Sequence, residues 1–137
     1  MRRALALSPG AEGAHAAIGD ALYLQGDAAG ARSEYALEPL AWLRLTGQAI
    51  SLRRLGDRTG AQAALDGLRA DANGVTLYQQ AQVFAQWAEP DRAVAVLGQA
   101  YKAGDSGIVL IRSDPMMDPL RRDPRFVRLI DQLGLSG

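Results

Sequence analysis

Apolar residues recur three and four positions apart along most of this chain, the spacing of one face of an α-helix. Between Glu12 and Gln25, His15, Ile18, Gly19 and Leu22 form one such stripe. Gly26 then ends that helix, because glycine takes up the left-handed conformation of a C-terminal cap. Asp27 follows, with a side-chain oxygen suited to accept from the free amides that open a second helix. Ala31 and Tyr35, four apart, face inward on it. Gly26-Asp27 therefore reads as the corner of a helical hairpin, with Gly30 and Ala31 kept small where two helices meet.

The pattern repeats. Leu45, Ala49 and Leu52 form a stripe, Gly56-Asp57 a corner, and Ala61, Leu65 and Leu68 the stripe beyond it. A third copy runs Leu77, Ala81 and Phe84, then a corner at Glu89-Pro90, then Ala93, Leu97 and Ala100. Proline suits the first turn of a helix, where an amide hydrogen has no partner to lose. Ala31, Ala61 and Ala93 recur at intervals of 30 and 32 residues, and a fixed period of that length marks a solenoid of stacked hairpins. Glu38-Pro39 cuts the second helix of the first hairpin short, since proline excludes helical geometry from the residue before it. The stretch after it is expected to launch the next helix at once and to leave an irregular joint.

The last third changes character. Asp-Pro occurs at Asp114-Pro115, Asp118-Pro119 and Asp123-Pro124, each a helix-start device in which the carboxylate caps and the proline sits pre-bent. The reading is a short helix near Ser106–Arg112, a turn or 3-10 segment at Pro115–Leu120, and a last helix from Pro124 to about Leu133. Ile108 to Ile111 has strand-like composition but no partner strand, so helix is preferred. Phe126, Leu129, Ile130 and Leu133 are expected to close the open apolar end of the third hairpin, as a solenoid requires.

Over roughly residues 4–103 the chain resembles the tetratricopeptide repeat family, whose pattern is Trp-x2-Leu-Gly-x2-Tyr, then Ala-x3-Phe, then Pro, over about 34 residues. The first copy supplies His15-x2-Ile18-Gly19-x2-Leu22 and Ala31-x3-Tyr35. The second supplies Leu45-x2-Gln48-Ala49-x2-Leu52 and Ala61-x3-Leu65, the third Leu77-x2-Gln80-Ala81-x2-Phe84 and Ala93-x3-Leu97. Glutamine replaces the family's leucine in the last two. The ending resembles a bacterial tail that closes such arrays, often behind nucleotide-cyclase or winged-helix DNA-binding domains, neither of which this chain contains.

What the resemblance implies is an all-α, right-handed superhelix with hairpins at about 11–40, 41–73 and 74–103 and a capping segment at 104–137. Residues 1–10, ending at Pro9, look like the close of a preceding repeat, so a longer parent protein is expected.

Composition narrows the chemistry. The 15 basic and 15 acidic residues balance, so no global field draws the chain to nucleic acid or a membrane surface. The absence of cysteine excludes disulfides and thiolate chemistry, and a single histidine, His15, excludes an imidazole metal cluster. No metal, cofactor or catalytic residue is assigned. His15 stands where the family's tryptophan packs, and no carboxylate has a fixed spacing to it. Gly26 to Ala31 lacks the order of a phosphate-binding loop. No apolar run matches a signal peptide or membrane span, so a cytoplasmic protein is expected. Lys102 is the sole lysine, an arginine bias which, with the alanine content, fits a GC-rich bacterial gene.

The resemblance places the first helices of the hairpins along a concave side. Counting from the stripes puts Ala16, Asp20 and Tyr23 there, then Thr46, Ile50 and Arg53, then Tyr78, Gln82 and Gln86. Tyrosine and arginine are enriched at binding hot spots, so these are the candidates for contacting a protein or peptide partner. The clamp with which one branch of the family holds chaperone tails is missing, its places being taken by Ala16, Asp20, Gly47, Val75 and Gln79. The function expected is a non-catalytic interaction scaffold, the C-terminal regulatory part of a larger bacterial protein. The alternative is self-association as a homo-oligomer or packing on upstream domains, with Trp42 and Trp87 as its indicators. An enzyme is the distant third.

Overall fold

Two glycines and two aspartates set the first corners. The computed structural model describes residues 12–70 and 76–134; the expectation for 1–10, the hairpin boundary near 73 and the clamp position Val75 lie outside them. Gly26 and Gly56 have φ of 93° and 90°, a left-handed conformation that a residue with a Cβ enters at about 1–2 kcal/mol. Beside them Asp27 and Asp57 accept the backbone amides of Gly30 and Gly60, each at 2.8 Å. That corrects the reason for the small residue at Gly30. A Cβ on Gly30 would run into the Asp27 carboxylate, and one on Gly60 into that of Asp57. The cap needs the space; the approach of two helices does not.

Every described element is helical, and no strand occurs among the described residues. The chain divides into two compact units, Met1–Asp71 and Ala72–Gly137.

The first unit contains α1 (Ala14–Leu24), α2 (Ala28–Ala36), α3 (Ala41–Arg54) and α4 (Arg58–Arg69). Successive helices pack on one another. Ala31, Ala49 and Ala61 are fully buried and Gly19 is buried with them. The ring of Tyr35 closes the joint between α2 and α3. A Cβ on Gly19 of α1 would lie 2.6 Å from that ring, and one on Gly47 of α3 would overlap it. Leu65 and Leu68 of α4 are fully enclosed, each worth about 1.5–3 kcal/mol in apolar burial.

The buried arc of the first helices is wider than the stripes implied. Leu22, Leu45 and Leu52 are half-buried, whereas Ala16, Tyr23, Thr46 and Ile50 are buried. The cause on α3 is that it packs on α2 before it and on α4 after it, so one stripe does not describe it.

The second unit contains α5 (Leu77–Gln86), α6 (Pro90–Ala103), two 3-10 segments (Ser106–Leu110 and Pro115–Leu120) and α7 (Pro124–Gln132). Ala81, Ala93, Leu97 and Ala100 are fully buried between α5 and α6. Ala88 takes the positive φ, 60°, that glycine supplies at the earlier corners. The helix expected at Ser106–Arg112 is a 3-10 segment ending at Leu110. A 3-10 turn holds three residues, which explains why Ile108 and Ile111 point inward while Val109 and Leu110 are exposed. Met117 and Leu120 repeat that spacing in the next segment, both buried.

Two of the three Asp-Pro carboxylates cap as expected. Asp114 and Asp123 accept from the amides of Met116 and Arg125, each at 2.9 Å, past the proline that has no amide to give. Asp118 lies inside the second 3-10 segment and pairs with Arg121 at 3.1 Å, so its capping role is withdrawn. Phe126 and Leu129 of α7 are buried, and Ile130 and Leu133 are half-buried.

Candidate functional site

Helices α1 and α5 begin without a side-chain cap of their own, and each is served from the far end of its hairpin. In the first unit Glu38, the residue after the C-cap of α2, is 1% exposed. Its carboxylate accepts from the amides of Gly13 and Ala16, both at 2.9 Å, and of Leu40 at 3.1 Å. In the second unit Asp105, the residue after the C-cap of α6, accepts from the amide of Tyr78 at 3.1 Å and of Gly107 at 2.9 Å. A negative group at a helix N-terminus meets both the free amides and the positive end of the macrodipole. Burial pushes the Glu38 carboxyl up, but the three amides outweigh it and leave the pKa below its ordinary value. Asp71 follows the C-cap Ala70 of α4 in the same way in sequence; it lies outside the described residues.

A second carboxylate joins the first. Glu34 of α2, 5% exposed, lies 2.8 Å from Nδ1 of His15. The chain thus supplies the carboxylate partner that spacing could not reveal, nineteen positions away. Nearby, the Tyr35 hydroxyl donates to Asp20 at 2.6 Å, and Arg54 donates to the Tyr23 hydroxyl at 2.7 Å. Burial, then Asp20, raise the Tyr35 pKa well above the phenol range. Burial raises that of Tyr23 also, against the pull of Arg54.

The polar face of α5 is occupied by the chain's own tail. The Tyr78 hydroxyl donates to Asp114 at 2.5 Å and the Gln82 amide to the same oxygen at 2.7 Å. Gln86 donates to the main-chain carbonyl of Met116 at 2.9 Å. Arg121 brackets the segment, donating to the carbonyls of Asp114 at 2.7 Å and Ile111 at 3.1 Å. Burial and then the Asp114 hydrogen bond raise the Tyr78 pKa far above the ordinary range.

The nine positions counted to a concave face are therefore divided. Ala16, Tyr23, Thr46 and Ile50 are buried, which withholds their side chains from any partner, and Tyr78 is buried with its hydroxyl on Asp114 of the tail; the Thr46 hydroxyl donates to its own helix at Trp42, 2.6 Å away. Asp20 is exposed and Arg53 half-buried. Tyr78, Gln82 and Gln86 do come together on one face, with the tail against it. Glu34, Glu38, Asp105 and Asp114 carry the polar architecture, and no local motif marked the first three. A hint existed for Glu38 and Asp105, since each stands two residues before an amide it caps.

A shallow depression along α4 is lined by Arg58, Thr59, Gln62, Ala63 and Asp66, all from one helix, with no converging groups from elsewhere. Among the described residues no cluster of three metal-ligating side chains occurs, and no helix is long and apolar enough to cross a membrane. Comparison with family models, curated proteins and solved structures returns no match.

Proposed function

We propose that this chain is a non-catalytic protein–protein interaction module of the tetratricopeptide type. In this reading its three hairpins form a right-handed superhelix that serves as the regulatory part of a larger, cytoplasmic bacterial protein. One observation carries the proposal: the first helix of the last hairpin presents Tyr78, Gln82 and Gln86 one turn apart, and that ladder holds the capped start of a 3-10 segment by a carboxylate and a main-chain carbonyl. The buried small residues at repeated positions support the hairpin construction.

Self-association is the second reading. Trp87 is buried, but Trp42 is 36% and Leu37 62% exposed, apolar surface that another copy could cover. Tagged full-length chain, purified from the native organism and weighed by light scattering, separates the two. A defined partner at fixed stoichiometry is the expected result. Repeated recovery of nothing but the chain itself, as dimers or larger, overturns the first reading in favour of the second.

A further inference from the structure

The tail and the ladder of α5 fit each other as a ligand fits a receptor. Tyr78, Gln82 and Gln86 are spaced at four-residue intervals, so they line one side of two helical turns. Their acceptors are two residues apart in the tail, a side-chain carboxylate on Asp114 and the backbone carbonyl of Met116. The two contacts discriminate differently. A phenol and an amide converge on one carboxylate oxygen while the other accepts a main-chain amide, so both oxygens must accept and an acidic side chain is selected over its amide, whereas the contact to a carbonyl is indifferent to sequence. Asp114 is preorganised for this by the turn it makes over Pro115, its other oxygen holding the Met116 amide at 2.9 Å. Met116 and Met117 then enter the core, 4% and 0% exposed. Apolar cover alone would need the methionines and nothing from the ladder.

We propose that this face of α5 is a recognition site for an aspartyl-proline segment followed by apolar residues, and that the chain's own tail occupies it as a tethered competitor. The inference rests on the interaction-module reading and names the chemistry of the partner: a peptide with Asp-Pro and two large flexible apolar side chains. A tethered segment acts at an effective concentration in the millimolar range. An external segment therefore enters only when the tail's grip is weakened or when it brings further contacts.

The test uses the full chain and a fluorescent peptide copying residues 112–122, Arg-Ser-Asp-Pro-Met-Met-Asp-Pro-Leu-Arg-Arg. Asp114→Ala removes the tethered carboxylate and leaves the ladder intact. By fluorescence polarisation this variant is expected to bind the peptide at least tenfold more tightly than the unaltered chain. A peptide with asparagine at the first aspartate should lose that gain, as should Gln82→Ala added to the Asp114→Ala chain. Should Asp114→Ala fail to fold by circular dichroism, Asp114→Asn, which keeps the shape, takes its place. A folded variant that binds no peptide at millimolar concentration, or binds the asparagine peptide equally, overturns the proposal. If that happens while a partner is still recovered by co-purification, the motif falls and the interaction-module reading stands.

Discussion

The ring of Tyr35 lies so close to Gly47 that a Cβ on that glycine would overlap ring atoms Cγ and Cδ1. The contact joins the end of the first hairpin to the middle of the next helix, across the break made by Pro39. Gly47→Ala improves helix propensity by about 1 kcal/mol but overpacks a fully enclosed ring, at about 1–3 kcal/mol. A net loss of up to about 2 kcal/mol is expected in urea unfolding. Gly98, inside α6, has open space where a Cβ would stand, with nothing within 4 Å; Gly98→Ala should stabilise by about 0.5–1 kcal/mol. The opposite order in the two variants would show that the Tyr35 ring does not set the size of residue 47.

Glu38 ties the amides of Gly13 and Ala16, 25 and 22 positions before it, to that of Leu40 just after it, so its loss should be felt across the first unit. Glu38→Ala is expected to destabilise by about 1.5–3 kcal/mol, the range for hydrogen bonds to a charged group. Glu38→Gln also destabilises, because both oxygens accept and an amide nitrogen would face a donor. The pH dependence has a definite sign. The folded pKa lies below the ordinary 4.5, so the contribution is complete above that value and is lost as pH falls through the lowered one. Acid unfolding curves of the Gln variant should lack this component.

Tyr35 and Tyr78 make the fold sensitive to alkali. Their folded pKa values lie above the ordinary 10.0, so their contribution is full below that pH. It is lost as pH rises further, because the unfolded phenols ionise and the folded ones do not. In a spectrophotometric titration both should stay protonated until the fold gives way. Tyr35→Phe keeps the ring between its glycines and loses the bond to Asp20, at about 1 kcal/mol near neutrality. The Tyr35→Phe/Tyr78→Phe double variant should show a flatter loss of stability above pH 10.0 than the unaltered chain.

Ala88 stands at the third corner with φ of 60°, where Gly26 and Gly56 serve the other two. Ala88→Gly removes a left-handed strain of about 1–2 kcal/mol at some expense in chain entropy. A net gain of about 0.5–1 kcal/mol is expected, readable as a higher melting temperature. A loss would mean that the alanine methyl makes a contact worth more than the strain.

What the sequence determined by itself is local. Helix and corner positions follow from apolar spacing, Gly-Asp pairs and Asp-Pro caps, because each involves groups within about four residues of one another. The buried small residues at Gly19, Ala31, Ala49, Ala61, Ala81 and Ala93 were legible for the same reason, being one face of a helix read off its period. Tertiary structure decided the rest. Asp118 has the same Asp-Pro signature as Asp114 and Asp123, yet only its place inside a 3-10 segment turns it to Arg121. Glu38 serves Gly13 and Ala16, and Asp105 serves Tyr78, only because folding the hairpin brings the end of one helix beside the start of another. Likewise Tyr78, Gln82 and Gln86 share a face by helical period, but whether that face meets solvent, a partner or the chain's own Asp114 depends on where the tail returns. A free amide or a hydroxyl specifies that it needs an acceptor; it does not specify which one, and that choice belongs to the packing.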